Sequence, residues 1–196
     1  MSLTLASDRA AETSTPIHPV LAERFSPRAY DTSEPIDETK LTAALEAARW
    51  SPSAANTQPW RFIVARRGTP EFDAITANLM GFNQFWAVNA GALIVGLTRR
   101  VDAEGKPMRW AQYDLGQALA HFSVQAHHDG LHVHQMGGVL VDDLRSAFDV
   151  SDDFEILSVT AVGVLGDVDD LPENTRERER APRQRLPLDE LLLVNA

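Results

Sequence analysis

The chain has 196 residues, a formal net charge of −10, no cysteine and 44% hydrophobic residues. This length and composition predict one folded domain with a single sizeable core. The acidic balance argues against nucleic acid or an anionic membrane as the main partner, because both require a basic surface. Without cysteine, disulfides, thiolate metal sites, iron–sulfur clusters and thiol catalysis are excluded.

Residues 1–16 are rich in serine, threonine and alanine and show no hydrophobic periodicity. We expect them to form a flexible lead-in to a single domain over residues 17–196. This N-terminus lacks the apolar core of a signal peptide, and the longest apolar run, residues 90–97, is too short to span a bilayer. The expectation is therefore a cytoplasmic protein that binds no membrane.

The first clear element is a helix that begins after Asp37. Asp37 is a suitable N-cap, and the apolar residues that follow recur at helical spacing: Leu41, Ala44, Leu45 and Ala48. The helix must end before Pro52, which disfavours a helical conformation at Ser51. The stretch WSPSAANTQPW, residues 50–60, is therefore predicted to be a loop that leads into a strand over residues 61–67.

Five further elements follow in chain order. They are a helix over 71–80, a buried strand over 90–97, a long helix from Ala111 to a glycine cap at Gly130, a short helix over 142–148, and a strand over 156–165. Prominent helices around few strands predict an α+β fold. The apolar run LDELLLV, residues 188–194, follows a charged segment, and we expect it to pair with another chain.

Two pairs of arginines lie near opposite ends of the chain. Arg24 and Arg28 flank Ser26 at alternate positions, and Arg183 and Arg185 have the same spacing. Alternate residues of an extended segment share one side, and guanidinium groups suit bidentate binding of phosphate. The pairs predict a phosphate clamp if the fold brings them together. The alternative is that they are solvated surface arginines.

The loop at 50–60 combines hydrogen-bonding and aromatic side chains. Asn56 and Gln58 both donate and accept hydrogen bonds, which matches the mixed edge of a heterocycle. Trp50 and Trp60 would stack on a ligand or, as tryptophans more often do, belong to the core.

The segment LHVHQMGGV, residues 131–139, offers two further features. Gly137 and Gly138 would let backbone N–H groups approach a ligand closely, although a plain turn needs the same residues. Four histidines raise the question of a metal: His127, His128, His132 and His134. No further ligand completes a coordination set at a suitable spacing, so no metal site is predicted. Dinucleotide-binding, P-loop, serine-hydrolase and zinc-protease motifs are also missing from the sequence.

Four segments resemble the nitroreductase family of flavoproteins, in the same order and spacing over residues 17–196. They are R-x-S-x-R at 24–28, PSAANTQPW at 52–60, the glycine pair at 137–138 and RQRLPL at 183–188. The proline–tryptophan loop is the most specific of them. The resemblance implies a mainly antiparallel sheet flanked by helices, and a homodimer that exchanges its C-terminal arms and holds FMN at the subunit interface.

The resemblance also implies roles for individual residues. Arg24, Arg183 and Arg185 would hold the FMN phosphate with Ser26 beside it, and Arg28 would lie near the pyrimidine edge, where its charge stabilises the anionic reduced flavin.

The rest of the implied cofactor site comes from both subunits. The partner subunit would contribute Ser53, Ala54, Asn56 and Gln58. Asn83 would touch the ribityl chain or the central ring, and Gly137 and Gly138 would lie over the ring.

The function implied by the resemblance is hydride transfer from NAD(P)H through FMN to a nitroaromatic, quinone or similar small acceptor, with ping-pong kinetics. The flavin would carry the chemistry, so no catalytic side chain is assigned. Two alternatives remain: a flavin-binding module without turnover, and an acidic interaction domain whose arginine-rich tail docks a partner. Trp86, Trp110 and Tyr113 would line a substrate pocket or belong to the core.

Overall fold

A four-stranded antiparallel sheet forms the centre of the computed structural model, which describes residues 9–195. Its strands are β1 (Trp60–Arg66), β2 (Ala92–Arg99), β3 (His132–Met136) and β4 (Phe154–Gly163), in the order β1-β2-β4-β3. The apolar sequence of β2 explains its place as an inner strand, because both of its faces are buried. The expected antiparallel sheet flanked by helices is confirmed.

Helices cover both faces of this sheet. They are α1 (Pro19–Glu23), α2 (Glu38–Arg49), α3 (Pro70–Ala77), α4 (Phe82–Ala87), α5 (Ala111–His128), α6 (Val141–Ala147), α7 (Glu173–Arg180) and α8 (Leu188–Leu191). Successive residues of a strand point to opposite faces, so β2 contributes to two cores. Leu93 and Val95 pack with α3, α4 and α6, whereas Ala92 and Ile94 pack with α2 and α5.

The two longest helices begin and end as their sequences predict. The carboxylate of Asp37 accepts hydrogen bonds from the backbone N–H groups of Thr39 (2.9 Å) and Lys40 (3.2 Å), which caps α2. Helix α5 is followed by Gly130, whose φ of +81° is the left-handed conformation expected of a glycine cap.

The predicted order of elements was wrong where elements are short. It omitted β3 and the helices α1, α4, α7 and α8, which have too few residues for a clear hydrophobic period. It also extended α3 to Met80, whereas the helix ends at Ala77. Leu79 instead forms an isolated bridge with Val139, and the Met80 N–H donates to the carbonyl of Gly138 at 2.9 Å. This change of direction brings α4 beside the glycine pair.

The ends of the described chain lie close to one another. The Ala11 N–H donates to the Ala22 carbonyl (2.8 Å), and Arg9 contacts the carbonyl of Glu179. Residues 1–8 of the expected lead-in lie outside the described residues, so its flexibility stays a prediction. In the C-terminal arm, Leu193 is 97% exposed and Val194 is 81% exposed. Among residues 9–195, every helix is too short or too polar to cross a membrane.

Candidate cofactor site

Three of the four predicted arginines converge on one cavity. Arg24 follows α1, and Arg183 and Arg185 lie between α7 and α8; together they line a cavity of about 790 Å³ between the two ends of the chain. Residues 11–15, Leu186 and Leu188 also contribute to its walls. The fold thus brings three arginines from opposite ends of the chain together, which is the condition that the sequence analysis set for a phosphate clamp.

The convergence places positive charges close to one another. Burial lowers the pKa of the Arg24 guanidinium, and the nearby charge of Arg185 lowers it further. Burial likewise lowers the pKa of Arg183, followed by the charges of Arg24, Arg185 and Arg9. Arg183 is held in place because its Nη1 donates to the carbonyls of Arg9 and Ala22, both at 2.7 Å. Such a preformed cationic cluster suits a dianion such as a phosphate monoester.

Ser26 and Arg28 divide between this cluster and a neighbouring region. The Ser26 hydroxyl accepts from Nη2 of Arg24 at 3.4 Å and therefore belongs to the cluster. Arg28 is directed elsewhere, to the carboxylate of Glu179. Its backbone N–H donates to Oε1 (3.0 Å) and its Nη1 to Oε2 (3.3 Å), whereas its Nε is buried without a hydrogen-bond partner among the described residues.

Asn83 and the glycine pair form the region next to Arg28. Asn83 Nδ2 donates to the Gly138 carbonyl at 3.3 Å, and a Cβ at position 138 would lie only 2.9 Å from that same nitrogen. A Cβ at Gly137 would meet no atom within 4 Å, so open space adjoins this backbone. The Phe82 ring links the region to Arg28, whose guanidinium carbon lies 5.9 Å from the ring centroid. The fold therefore brings Arg28, Asn83 and the glycine pair together.

The loop that contains Ser53, Ala54, Asn56 and Gln58 is held by its own polar groups. Ser53 Oγ accepts from the Gln58 N–H (3.0 Å), and Gln58 Nε2 donates to Oδ1 and to the carbonyl of Asn56, both at 3.2 Å. Ala55, Asn56 and Gln58 have φ values of 49°, 56° and 47°, although none is glycine. Non-glycine residues in this conformation are strained and cluster at functional sites.

The same loop is anchored from outside by a residue that the sequence did not indicate. Asp114, in the first turn of α5, is only 2% exposed and accepts a hydrogen bond from the Ala54 N–H at 3.1 Å. The Ala54 N–H is therefore used by the protein itself. Glu179, which binds Arg28, was also missed, because nothing in the run RERER distinguishes the buried carboxylate from its exposed neighbour Glu177.

The loop and the arginine cluster lie beside different positions along the length of α5. Ala54 binds Asp114, whereas Arg24 and Ser26 line a smaller cavity of about 350 Å³ together with Ser123 of α5. Asp114 and Ser123 are nine positions apart, or about 13 Å along the helix. Within residues 9–195, no hydrogen bond or ion pair joins the loop to the cluster. Within the described chain, the loop and the cluster are therefore two separate groups of predicted site residues.

The histidines take structural positions. His134 Nδ1 hydrogen-bonds to the Pro27 carbonyl (2.8 Å) and its ring centroid lies 4.5 Å from that of Trp86, whereas the rings of His127 and His132 lie 5.3 Å apart. Burial lowers the pKa of His132 and of His134 to about 4. In the described part of the chain, no three histidine or acidic side chains are grouped as a metal site requires.

The aromatic candidates divide between core and surface. Trp60 and Trp86 are core residues, at 5% and 2% exposure. Trp50 is 74% exposed, and its indole nitrogen donates to Glu46 at 2.9 Å. Trp110 and Tyr113 are exposed and pack edge to face, with ring centroids 6.4 Å apart, at the start of α5. This pair therefore remains available to a ligand beside the loop, and Trp86 does not.

Comparisons with known proteins agree with the fold. A model of the nitroreductase family matches residues 21–164. A solved structure described as an oxidoreductase containing FMN is 35% identical, with 93% of each chain covered and a TM-score of 0.87. An uncharacterised 15.4 kDa protein of Mycolicibacterium smegmatis is 34% identical over 138 residues, which are 67% of this chain and 92% of that protein.

A further relative matches over a shorter stretch. The major NAD(P)H-flavin oxidoreductase of Aliivibrio fischeri is 37% identical over 73 residues, which cover 34% of this chain and 33% of that protein. The family match spans the R-x-S-x-R segment, the proline–tryptophan loop and the glycine pair, and the 35% identical structure extends the similarity over nearly the whole chain. On this combination of sequence match and shared fold, the chain belongs to the nitroreductase family.

Proposed function

We propose that this protein is an FMN-dependent oxidoreductase that passes a hydride from NAD(P)H to a small acceptor such as a nitroaromatic or a quinone. The observation that carries the proposal is the convergence of Arg24, Arg183 and Arg185 on one cavity in an otherwise acidic protein. Family membership and the names of the relatives support an oxidoreductase that contains FMN. Use of NAD(P)H fits the expected cytoplasmic location.

The chemistry of the described residues fits FMN at three points. The arginine cluster offers guanidinium donors for a phosphate. The Arg28 side chain stays 24% exposed beside Glu179, so a carbonyl oxygen of the flavin pyrimidine edge has access to its guanidinium. The open space at Gly137 leaves room for a flat ring against the backbone.

In this proposal the protein binds, orients and supplies charge. FMN, when bound, provides the acceptance and donation of the hydride. Arg24, Arg183 and Arg185 would hold its phosphate, and the guanidinium of Arg28 would place a positive charge at the pyrimidine edge. A fixed cation near developing negative charge favours the reduced cofactor, because the low-dielectric site strengthens the attraction. Asn83 holds the glycine backbone in position through its bond to Gly138.

We propose that the second subunit of a homodimer completes the site with its loop. The Asn56 carbonyl groups already accept hydrogen bonds from Gln58, so the Nδ2 donors of Asn56 and the hydroxyl proton of Ser53 are the groups left for a ligand. The separation of this loop from the arginine cluster within one chain supports a contribution across the interface. Ala54 and Gln58 then act by shaping the loop.

The C-terminal arm supports the same assembly. Leu186, Leu188 and Leu191 are each about 60% exposed, and Leu193 is almost fully exposed. Contiguous exposed apolar residues favour association, and a symmetric dimer would bury two such arms at once. We therefore propose that the arm crosses to the partner subunit, and that ping-pong kinetics follow from one flavin site used in turn by NAD(P)H and the acceptor.

The test removes the two C-terminal arginines of the clamp. Arg183→Ala/Arg185→Ala is expected to purify without FMN and to bind added FMN at least 100-fold more weakly than wild type, because two cationic contacts to a dianion are lost. The matched control is Arg100→Ala/Arg109→Ala, which removes two exposed arginines from a different cavity. Since Arg183 also binds backbone carbonyls, thermal melting must show that the double variant is folded.

The same preparations decide between turnover and storage of the flavin. Wild-type protein is expected to show a flavin absorption band that NADPH or NADH bleaches without air and that an added quinone restores. A band that neither nucleotide bleaches would instead support a flavin-binding module. Stoichiometric FMN in the folded double variant would refute the phosphate assignment, and a monomer in sedimentation would refute the shared site.

A further inference from the structure

Glu179 is a buried carboxylate that both ends of the chain surround. It is 1% exposed and lies on the buried face of α7 with Thr175, one helical turn earlier. Its helix neighbours Arg176 and Arg180 pair with Asp169 instead. A charge taken out of water must be paired and hydrogen-bonded to be tolerated. Among the described residues, the ion pair of Glu179 is with Arg28.

The contact between Glu179 and Arg28 fixes both the backbone and the side chain of the arginine. Oε1 accepts the Arg28 N–H at 3.0 Å and Oε2 accepts Nη1 at 3.3 Å. This arrangement consumes one guanidinium nitrogen and leaves Nε buried and unpartnered. The Phe82 ring lies beside the same guanidinium, 5.9 Å from its carbon. Arg28 is therefore a cation tethered by Glu179, and its side chain stays 24% exposed.

We propose that Glu179 is a positioning residue that aims Arg28 at the flavin and lowers the reduction potential of that flavin by offsetting the charge of Arg28. The proposal rests on the proposed function, since it assumes that FMN binds beside Arg28. Two electrons and one proton convert oxidised FMN into its anionic reduced form, which carries one more negative charge than the oxidised ring. A lone cation nearby favours the reduced form, and a carboxylate paired with that cation weakens this preference.

The substitution Glu179→Gln removes the charge and keeps the size of the side chain. Its amide oxygen still accepts the Arg28 N–H, so the backbone tether survives. The guanidinium then lacks its counter-charge while Phe82 continues to flank it. We expect the two-electron reduction potential of bound FMN to shift to a more positive value. The matched control is Glu177→Gln, the same change on the same helix at an exposed side chain, and we expect no shift.

The experiment is an anaerobic titration of the FMN-loaded proteins with dithionite in the presence of a reference dye, followed by absorbance. A structural role for Glu179 would change the melting temperature, but it would not move the potential in one direction. Glu179→Asp is a second variant, because it keeps the charge but withdraws it from Arg28 by one methylene. We expect a positive shift that is smaller than that of Glu179→Gln.

The outcomes separate a failure of the role proposed for Glu179 from a failure of the proposed function. A wild-type potential in both Glu179 variants overturns the role of Glu179 and leaves the proposed function intact. Unfolding or loss of flavin in both variants, with Glu177→Gln intact, makes Glu179 a structural residue only and also overturns the inference. Wild-type protein that takes up no FMN refutes the proposed function itself.

Discussion

Replacing Asp114 by alanine should detach the loop of residues 53–58 from α5 and weaken FMN binding. The buried Asp114 carboxylate accepts the Ala54 N–H at 3.1 Å, and it is the hydrogen bond to that helix within residues 53–58; earlier in the loop, Ser51 Oγ hydrogen-bonds to His121 Nδ1 at 2.7 Å. A hydrogen bond to a charged group contributes about 1.5–3 kcal/mol. Three loop residues with positive φ oppose the native conformation by about 1 kcal/mol each, and the hydrogen bond to Asp114 offsets part of this strain.

The expected size of the effect follows from the fraction of loops that remain in the binding conformation. Since every 1.4 kcal/mol is a factor of ten, a loss of about 2 kcal/mol raises the apparent Kd for FMN about 10- to 30-fold. Asp114→Asn keeps an acceptor oxygen but loses the charge, and we expect a smaller effect of about fivefold. The affinity is measured by the quenching of FMN fluorescence when the flavin-free protein is added.

General destabilisation must be separated from the loop effect. Thr98→Val is a suitable control, because the buried Thr98 hydroxyl donates to the Ala111 carbonyl at 3.0 Å, at the start of the same helix, without touching the loop. The control should lower the melting temperature and leave the Kd unchanged. An Asp114→Ala protein that binds FMN within twofold of wild type, or a control that weakens FMN binding equally, would refute the reasoning.

Two further predictions concern the glycine pair and the histidines. Gly138→Ala places a Cβ 2.9 Å from Asn83 Nδ2 and should displace that side chain. We expect FMN binding to weaken about fivefold in the same fluorescence titration. An unchanged Kd would mean that the position of Asn83 does not affect FMN binding. For His132, burial lowers the pKa from its usual value of 6.5 to about 4, so the folded protein favours the neutral ring. The associated stability is present above pH 6.5 and is lost as the pH falls towards 4, by up to about 2 kcal/mol at pH 5. His132→Phe should therefore reduce the difference between the free energies of urea unfolding at pH 7 and pH 5. His134 has the same pKa shift, so the part of the difference that it causes should persist. A difference equal to that of wild type would contradict the pKa given for His132.

Periodicity and capping made the long elements predictable from the sequence. The apolar stripe after Asp37 and the glycine at 130 located α2 and the end of α5 to within a few residues. The spacing of the arginines also suggested a phosphate clamp, because alternate residues of an extended segment share one side, although solvated surface arginines were the alternative. The spatial meeting of Arg24 with Arg185 follows from the fold and could only be posed as a condition.

The sequence could not identify residues whose role depends on their burial. Glu179 and Glu177 have the same side chain and similar neighbours, yet only the packing of α7 decides that Glu179 is buried. Asp114 is likewise one acid on a long amphipathic helix until the loop docks on it. The two tryptophans of the loop show the same limit. Trp60 is the first residue of β1 and is buried, whereas Trp50 follows the last residue of α2 and is exposed to solvent.

The junction of the chain ends has a consequence for how the protein is made. Arg183 bonds to the Ala22 carbonyl, 161 positions earlier in the chain, and Arg9 reaches Glu179. Contacts so distant in sequence cannot form until the chain between them has been synthesised, and closing so long a loop costs conformational entropy. A nascent chain that has emerged only as far as β4 holds all four strands, but it lacks Arg183 and Arg185 at the cavity until they emerge. Binding of FMN would therefore require synthesis to have passed Arg185, and products truncated before that residue would be colourless.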